Sequence, residues 1–233
     1  MKPRVSPRRV APQTTMTMKK FTGRVQVGTR LAGRLKPLLR KGESAVVVSL
    51  PRGGVPVGLA VAAKLGLPHD IMVTRKIPEE KRSEWSVGAV AEDGSTVWDE
   101  SRAARERPAY LKRARLEQLA EAKRRLKNFR QAAGPAVPLA GKTVIIADDG
   151  VSRGWTLLSA IGEVKERHAA RIIVAVPIAP KTVAKRLRQA AGEAVILLVS
   201  DRLPYVSNYY RDKAFMAVED KEVKEMLRRN RRR

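Results

Sequence analysis

The chain has 233 residues, 43% of them hydrophobic, which is enough to bury the core of one good-sized domain. It contains no cysteine, which excludes disulfides and thiolate metal sites, and its two histidines argue against a histidine-based zinc site or a Ser-His-Asp triad. The formal net charge is +25, which predicts attraction to nucleic acid, anionic membranes or phosphate-rich small molecules.

Basic residues accumulate at the two ends of the chain. No acidic residue precedes Glu43, and residues 228–233 are almost all arginine. We interpret 1–20 as a basic, disordered extension and 227–233 as a basic tail around one domain at 21–226, although an acid-free start is also typical of an organellar transit peptide. The positive charge of these ends favours nucleic acid as a partner, bound without sequence specificity. No apolar run reaches the ~20 residues of a membrane helix, and the lack of cysteine suits a cytoplasmic location.

Apolar spacing predicts alternating helices and strands from residue 21 onward. In chain order these are a helix over 25–40, a strand over 45–50, a helix over 55–65, strands over 71–74 and 85–91, a helix over 109–130, a strand over 143–147, a helix ending near 168, a strand over 171–177, a helix over 180–191 and a strand over 194–199. Such alternation predicts an α/β fold with a mostly parallel central sheet flanked by helices. Ligands bind such sheets beyond the carboxyl ends of the strands, which directs attention to the residues after each strand.

The most specific motif is VIIADDGVSRGWT, residues 144–156. Its apolar strand ends in Asp148 and Asp149, and a loop with two glycines and two hydroxyl residues then opens a helix. Backbone N–H groups at a helix start bind anions. Paired carboxylates repel phosphate but accept hydrogen bonds from vicinal sugar hydroxyls. The motif therefore predicts a site for a ribose 5-phosphate.

Two further motifs follow predicted strands. Pro51-Arg52-Gly53-Gly54 combines glycines, which let amides curl around an anion, with an arginine whose planar fork suits phosphate; a tight structural turn is the alternative. Arg75-Lys76 precedes a charged segment, 78–83, that we interpret as an exposed loop, and Glu84 follows it. A generic Rossmann site is disfavoured because no G-x-G-x-x-G follows the first strand.

At these residues the chain resembles the type I phosphoribosyltransferases, whose signature is an apolar strand, Asp-Asp and a short Thr-Gly-x-Thr loop. Arg75-Lys76, Glu84 and Gly88-Ala89-Val90 resemble one subgroup of that family, and the resemblance extends from Phe21 to Val223. It implies a phosphoribosyltransferase fold with a small hood. It also implies binding of phosphoribosyl pyrophosphate, transfer of the ribose phosphate to a nitrogen acceptor such as a nucleobase, release of pyrophosphate, Mg²⁺ held mainly through the substrate, and a homodimer.

Residue roles follow from the same resemblance. Asp148 and Asp149 would bind the ribose hydroxyls, with Lys76 and Glu84 as further catalytic candidates. The substrate-binding candidates are Arg52, Gly53, Gly54 and Arg75 for pyrophosphate; Gly150, Val151, Ser152, Arg153, Gly154 and Thr156 for the 5-phosphate; and Tyr209 and Tyr210, within a hood at 203–215, for the acceptor.

The sequence departs from the family pattern at two positions of the 5-phosphate loop. Arg153 stands where the family has Thr, and Trp155 stands where it has a small residue. Arg153 could either donate to the 5-phosphate or fill the pocket, and Trp155 could pack inward. These changes, with the basic ends, support an alternative function: a regulatory or nucleic-acid-associated protein that senses phosphoribosyl pyrophosphate or nucleotides with the same fold.

Overall fold

The computed structural model describes residues 21–201, 203, 205–211 and 215–232. The helices are α1 (Arg24–Leu35), α2 (Gly54–Leu65), α3 (Glu100–Ala103), α4 (Pro108–Ala133), α5 (Trp155–Glu166), α6 (Lys181–Ala191) and α7 (Asp220–Arg231), with 3-10 turns at Lys36–Leu38 and Val206–Tyr209. The strands are β1 (Ala45–Ser49), β2 (His69–Ile71), β3 (Thr74–Pro78), β4 (Ser86–Ala91), β5 (Thr96–Trp98), β6 (Thr143–Ala147), β7 (Arg171–Pro180) and β8 (Gly192–Ser200). Within these residues no helix is both long and apolar enough to cross a bilayer.

Five strands form a parallel sheet in the order β2-β1-β6-β7-β8, and β3, β4 and β5 form a small antiparallel sheet. The larger sheet has helices on both faces, because its side chains alternate between two apolar layers. Val46 and Ile146 face α5 and α6, whereas Val47 and Ile145 face α1 and α2. The predicted α/β fold, with a mostly parallel sheet and a small addition, is confirmed.

The predicted strand over 71–74 is wrong, because the chain leaves one sheet and enters the other within it. β2 ends at Ile71 and pairs with β1, and β3 begins at Thr74 and pairs antiparallel with β4. The turn between them is held by Glu92, whose carboxylate accepts a hydrogen bond from the Val73 amide at 2.6 Å. Arg75 and Lys76 consequently lie within a strand of the small sheet instead of following a strand of the parallel one.

The predicted basic tail over 227–233 is also wrong for most of its length. α7 runs to Arg231, and its Leu227 side chain is only 2% exposed, buried with Val223 against Phe129 of α4. A capping box at Glu219 and Glu222 fixes the start of α7. The domain boundary at 226 therefore falls inside a helix that belongs to the core. The predicted extension, 1–20, lies outside the described residues.

Two glutamates share one buried environment between α5 and the end of β4. Glu163 is fully buried and lies 2.5 Å from Arg167, which also pairs with the buried Glu92 at 3.2 Å. Burial, with the negative charge of Glu92 adding to it, raises the pKa of Glu163 to about 8. Burial likewise raises the pKa of Glu92. One cation thus serves two carboxyl groups, so one of them keeps its proton near neutrality.

The Glu163→Gln variant is expected to flatten the pH dependence of stability. Because the pKa of Glu163 rises from 4.5 to about 8 on folding, the folded chain holds a proton that the unfolded chain has lost within that window. The free energy of unfolding therefore falls as pH rises through the window, and glutamine removes this loss. Urea unfolding at about pH 5 and about pH 8 measures it. Glu166→Gln, at an exposed position of the same helix, is the control and should keep the wild-type slope; equal slopes in wild type and Glu163→Gln would refute the assignment.

Candidate active site

A cleft of about 300 Å³ opens at the carboxyl ends of β1 and β6. Most of the predicted site residues line it: Arg52, Gly53, Lys76, Asp148, Asp149, Gly150, Val151, Ser152, Arg153, Gly154 and Thr156. β1 and β6 are neighbours in register, with Ser49 opposite Ala147, so the loops that follow them emerge side by side. This is the edge at which open α/β sheets bind ligands.

Asp148 and Asp149 differ in their partners. Asp148 Oδ1 accepts a hydrogen bond from the Asp149 amide at 2.8 Å, whereas Asp149 Oδ2 accepts one from Arg24 Nε at 2.8 Å. Burial raises the pKa of both carboxyl groups; the neighbouring charge of Asp149 raises that of Asp148 further, and Lys76 opposes this rise. A pair held in this way favours partners that relieve the crowded charge, such as hydroxyl donors or a cation.

Glycine at positions 53 and 54 is required by the close approach of the two loops. A Cβ atom at Gly53 would lie 2.0 Å from Asp149 Oδ2, and one at Gly54 would lie 2.8 Å from the Ala147 carbonyl oxygen. The backbone of the first loop therefore packs directly on the acidic pair. The Arg52 side chain points toward the start of α7, where its guanidinium lies 3.4 Å from Glu219 and 3.7 Å from Asp220.

The loop between β6 and α5 is shaped by two glycines in the left-handed region, Gly150 (φ 142°) and Gly154 (φ 84°). The Val151 amide donates to the Ile178 carbonyl at 3.0 Å, which anchors the loop to β7. α5 begins at Trp155 without a side-chain cap. Its first N–H groups and the positive end of its dipole are therefore available to an anion in the cleft.

The two departures from the expected loop pattern lie at its outer side. The Arg153 guanidinium lies 4.0 Å from the centre of the Trp85 ring, although the residue also lines the cleft. The Trp155 ring is covered by the guanidinium of Arg186 at 4.5 Å. Trp155 lines the cleft as well, so both residues form part of its wall and leave the volume of about 300 Å³ beside them.

The small sheet contributes the second wall. The exposed Lys76 side chain lines the cleft and also an adjoining pocket of about 470 Å³, which contains Arg75 and Glu84. Arg75 Nε donates to Gln118 at 3.2 Å, and burial, followed by the nearby charge of Arg125, lowers the pKa of Arg75. Lys76 is thus placed at the cleft itself, whereas Arg75 and Glu84 are placed beside it.

Tyr209 and Tyr210 do not line the cleft as an aromatic platform, which corrects the prediction that they stack on an acceptor. Both are buried in the layer formed by α1 and α2, because the backbone of Phe21 pairs with this segment. The Tyr210 ring packs on Phe21 and Phe215, and its hydroxyl donates to the Asp149 carbonyl at 2.8 Å. Tyr210 therefore supports the acidic loop from behind. Of the hood predicted at 203–215, residues 204 and 212–214 lie outside the described residues.

Sequence reasoning missed several residues of the site. Arg24 pairs with Asp149 from 125 positions away, and its guanidinium also lies 4.4 Å from the Phe215 ring. Thr74, Ser86, Val206 and Phe215 line the cleft as well. The basic start of the chain offered no signal that distinguished Arg24 from the arginines around it.

Comparison with known proteins agrees with this geometry. Residues 24–193 match the family described as Phosphoribosyl transferase domain. The chain belongs to the phosphoribosyl transferase domain family. The matched range includes the acidic pair, both glycine loops and Lys76, and it ends before Phe215 and α7.

Relatives extend the match beyond the family segment. The chain is 35% identical over 214 residues to proteins of two Mycobacterium tuberculosis strains, CDC 1551 and H37Rv, each named as a candidate phosphoribosyl transferase. That alignment covers 91% of this chain and 47% of the relatives, so the chain spans about half the length of the curated relatives it matches. A crystal structure of the protein TT1426 from Thermus thermophilus is similar at 34% identity and a TM-score of 0.75, covering 90% of this chain and 98% of that one.

Proposed function

We propose that the chain is a phosphoribosyltransferase that binds phosphoribosyl pyrophosphate and Mg²⁺, transfers the ribose phosphate to a nitrogen acceptor of the nucleobase type, and releases pyrophosphate. The observation that carries the proposal is the acidic pair, Asp148 and Asp149, placed between two glycine loops at the carboxyl ends of β1 and β6. Membership of the phosphoribosyl transferase domain family supports it.

Each part of phosphoribosyl pyrophosphate can be assigned to residues of complementary chemistry in the cleft. Hydroxyls of the ribose would donate to Asp148 and Asp149, which compensates for the burial that raises the pKa of both carboxyl groups. The 5-phosphate would accept N–H groups from loop 150–156 and the start of α5. Pyrophosphate would lie between Gly53 and Lys76, with Arg52 and Arg75 as the nearby cations.

The reaction breaks the bond between the anomeric carbon and pyrophosphate and forms one to nitrogen. Since charge develops on the sugar and on the leaving group, the protein acts by holding both and by excluding water. Asp149 is already fixed by Arg24, so its orientation is set before a ligand arrives. The exposed Lys76, in a strand of the small sheet, lines the cleft and would stabilise the negative charge of the departing pyrophosphate.

Mg²⁺ fits the oxygen donors of this site. Carboxylates are the ligands that the ion prefers, and the ion commonly keeps several waters and binds through substrate phosphates. It would be held mainly through substrate oxygens, with Asp148, which forms no ion pair within the described residues, as the protein carboxylate beside it, and would supply charge neutralisation on the leaving pyrophosphate.

Calorimetric titration of phosphoribosyl pyrophosphate with Mg²⁺ tests the proposal. Wild type is expected to bind, and Asp148→Asn is expected to weaken binding on the order of 100-fold, because hydrogen bonds to charged groups are worth about 1.5–3 kcal/mol each. Asp201→Asn is the matched control, since Asp201 is exposed and does not line the cleft. The Asp148→Asn/Asp149→Asn double variant should stay folded.

Either of two results would contradict parts of the proposal. Unchanged affinity in Asp148→Asn would remove the acidic pair from ribose binding. A folded wild type that does not bind would overturn the proposal as a whole and favour the regulatory function, which a steep salt dependence of nucleic-acid binding would support. If the donor binds, release of pyrophosphate in the presence of individual nucleobases identifies the acceptor.

A further inference from the structure

A second pocket, of about 490 Å³, adjoins the cleft on the outer side of loop 150–156. It shares Ser152, Arg153 and Trp155 with the cleft and extends from there to the start of α6. Three arginines line it: Arg102 from α3, Arg153 from the loop and Arg186 from α6. We call it the arginine pocket. Its basic side chains come from three separate parts of the chain, so the fold and not a local run of sequence brings them together.

The three guanidinium groups differ in how their charges are balanced. Arg102 pairs with the buried Glu79 and lies 3.4 Å from Asp99. Within the part of the chain that the structure describes, Arg153 and Arg186 form no ion pair. Arg186 instead lies over Trp155 and donates to the Arg153 carbonyl oxygen. The guanidinium groups of Arg153 and Arg186 thus lie over tryptophan rings and are not neutralised by a paired carboxylate.

The pocket is electrostatically unbalanced as a result. Among the described residues, Asp99 is the one carboxylate in its lining, and it is already engaged by the Arg102 amide at 3.3 Å and the Ser101 hydroxyl at 2.8 Å. Burial and then the neighbouring charge of Arg102 lower the pKa of Arg153, and the nearby carboxylates of Glu79 and Asp99 oppose this without cancelling it. A bound anion would reverse this effect.

The start of α6 adds a second, independent feature. α6 begins at Lys181 after Pro180, has no side-chain cap and no acidic residue in its first turn, and places Thr182 in the pocket wall. Its first N–H groups therefore retain donor capacity, and its dipole adds positive potential to that of the arginines. Planar guanidiniums, a hydroxyl and helix N–H groups together match the several acceptor oxygens of a phosphoryl group.

We propose that the arginine pocket binds a phosphoryl group of a second ligand, outside the cleft assigned to phosphoribosyl pyrophosphate. Inorganic phosphate and the phosphate of a nucleotide both carry the acceptor oxygens that the pocket would bind. Because Arg153 belongs to both pockets, the second ligand would lie next to the 5-phosphate loop. The inference concerns residues on the outer side of that loop, so it does not depend on the reaction proposed for the cleft.

Equilibrium dialysis with radiolabelled inorganic phosphate tests the proposal. The assay contains no sugar phosphate, whose own phosphoryl group would compete at both places. Wild type is expected to show two saturable phosphate sites, one in the 5-phosphate loop and one in the arginine pocket. Arg186→Gln is expected to weaken one of them at least about tenfold, since each charge-assisted hydrogen bond contributes more than a neutral one. Arg186 pairs with no carboxylate in the described residues, so the substitution leaves no buried acid unpaired.

Arg188→Gln is the matched control. It makes the same change two positions later on α6, at an exposed side chain outside the pocket, and should bind phosphate as wild type does. Arg102→Gln should weaken binding as Arg186→Gln does, with circular dichroism checking its fold because Glu79 loses a partner. Arg186→Lys, which keeps the charge, should recover part of the affinity.

Three results would overturn the proposal: equal affinity in wild type and Arg186→Gln, equal loss in Arg188→Gln, or a single phosphate site in wild type that Thr156→Ala, in the 5-phosphate loop, removes. The last result would assign all phosphate binding to the cleft. Competition with adenosine 5′-monophosphate distinguishes a nucleotide from inorganic phosphate as the ligand. If the nucleotide displaces the labelled phosphate more strongly than unlabelled phosphate does, the ligand is organic. If unlabelled phosphate displaces it more strongly, the ligand is the free anion. Failure of phosphoribosyl pyrophosphate to bind would leave the comparison of Arg186→Gln with Arg188→Gln unaffected.

Discussion

The Gly53→Ala variant is expected to bind phosphoribosyl pyrophosphate on the order of 100-fold more weakly than wild type, the scale on which a displacement of about 1 Å affects a preorganised site. The new Cβ would lie 2.0 Å from Asp149 Oδ2 and 2.6 Å from its Cγ. Asp149 cannot turn away freely because Arg24 holds the same oxygen. Either that ion pair breaks or the loop after β1 moves, and both results distort the cleft. Calorimetric titration with Mg²⁺ measures the loss.

Gly33→Ala is the matched control for this variant. Gly33 lies in α1, and nothing lies within 4 Å of the Cβ that alanine would add. Alanine in a helix interior is more stable than glycine by roughly 0.5–1 kcal/mol, so this variant should bind as wild type does and be slightly more stable. Wild-type affinity in Gly53→Ala would show that the acidic pair is not fixed against the first glycine loop.

Leu227→Ala is expected to lower the free energy of unfolding by about 2–5 kcal/mol, the usual cost of a cavity at a fully buried leucine. Leu227 is 2% exposed and packs with Val223 and Phe129, which joins α7 to α4. The effect is large compared with the typical stability of a domain of about 5–15 kcal/mol. Urea unfolding monitored by circular dichroism measures it.

Leu116→Ala provides the comparison, because Leu116 is 50% exposed on α4. It should change the free energy of unfolding by no more than about 0.5 kcal/mol. Similar, small effects at both positions would contradict the packing of α7 and restore the interpretation of the C-terminal arginines as a tail.

Much of the fold was predictable because the three central strands of the parallel sheet, β1, β6 and β7, are apolar runs buried on both faces. The segment 143–147 was predicted as it is found, and the residues after it were correctly expected at the edge where ligands bind. The strand over 71–74 failed because propensity cannot show that the chain changes sheets between Ile71 and Thr74. The hydrogen bond from Val73 to Glu92 that accompanies this change joins residues 19 positions apart, which local patterns do not reveal.

The remaining errors have a similar cause. α7 was hidden because charged residues of both signs surround its two buried residues, Val223 and Leu227, and dominate the composition of the segment. Tyr210 was expected at a ligand because aromatic residues suit both stacking and burial, and only the packing on Phe21 decides between them. The ion pair between Arg24 and Asp149 joins residues 125 positions apart, so no local pattern in the sequence predicts it.

The pairing of β1 with β6 has a consequence for how the protein folds. Ser49 and Ala147 are partners in the sheet although 98 positions separate them in the chain (147 minus 49), and the two loops of the cleft begin immediately after them. Such non-local pairing forms late, because the entropy of closing a long loop must be overcome first. A folding intermediate without this pairing has no cleft. Phosphoribosyl pyrophosphate would therefore bind only chains in which β1 and β6 have paired, and its binding would raise the free energy of unfolding by mass action.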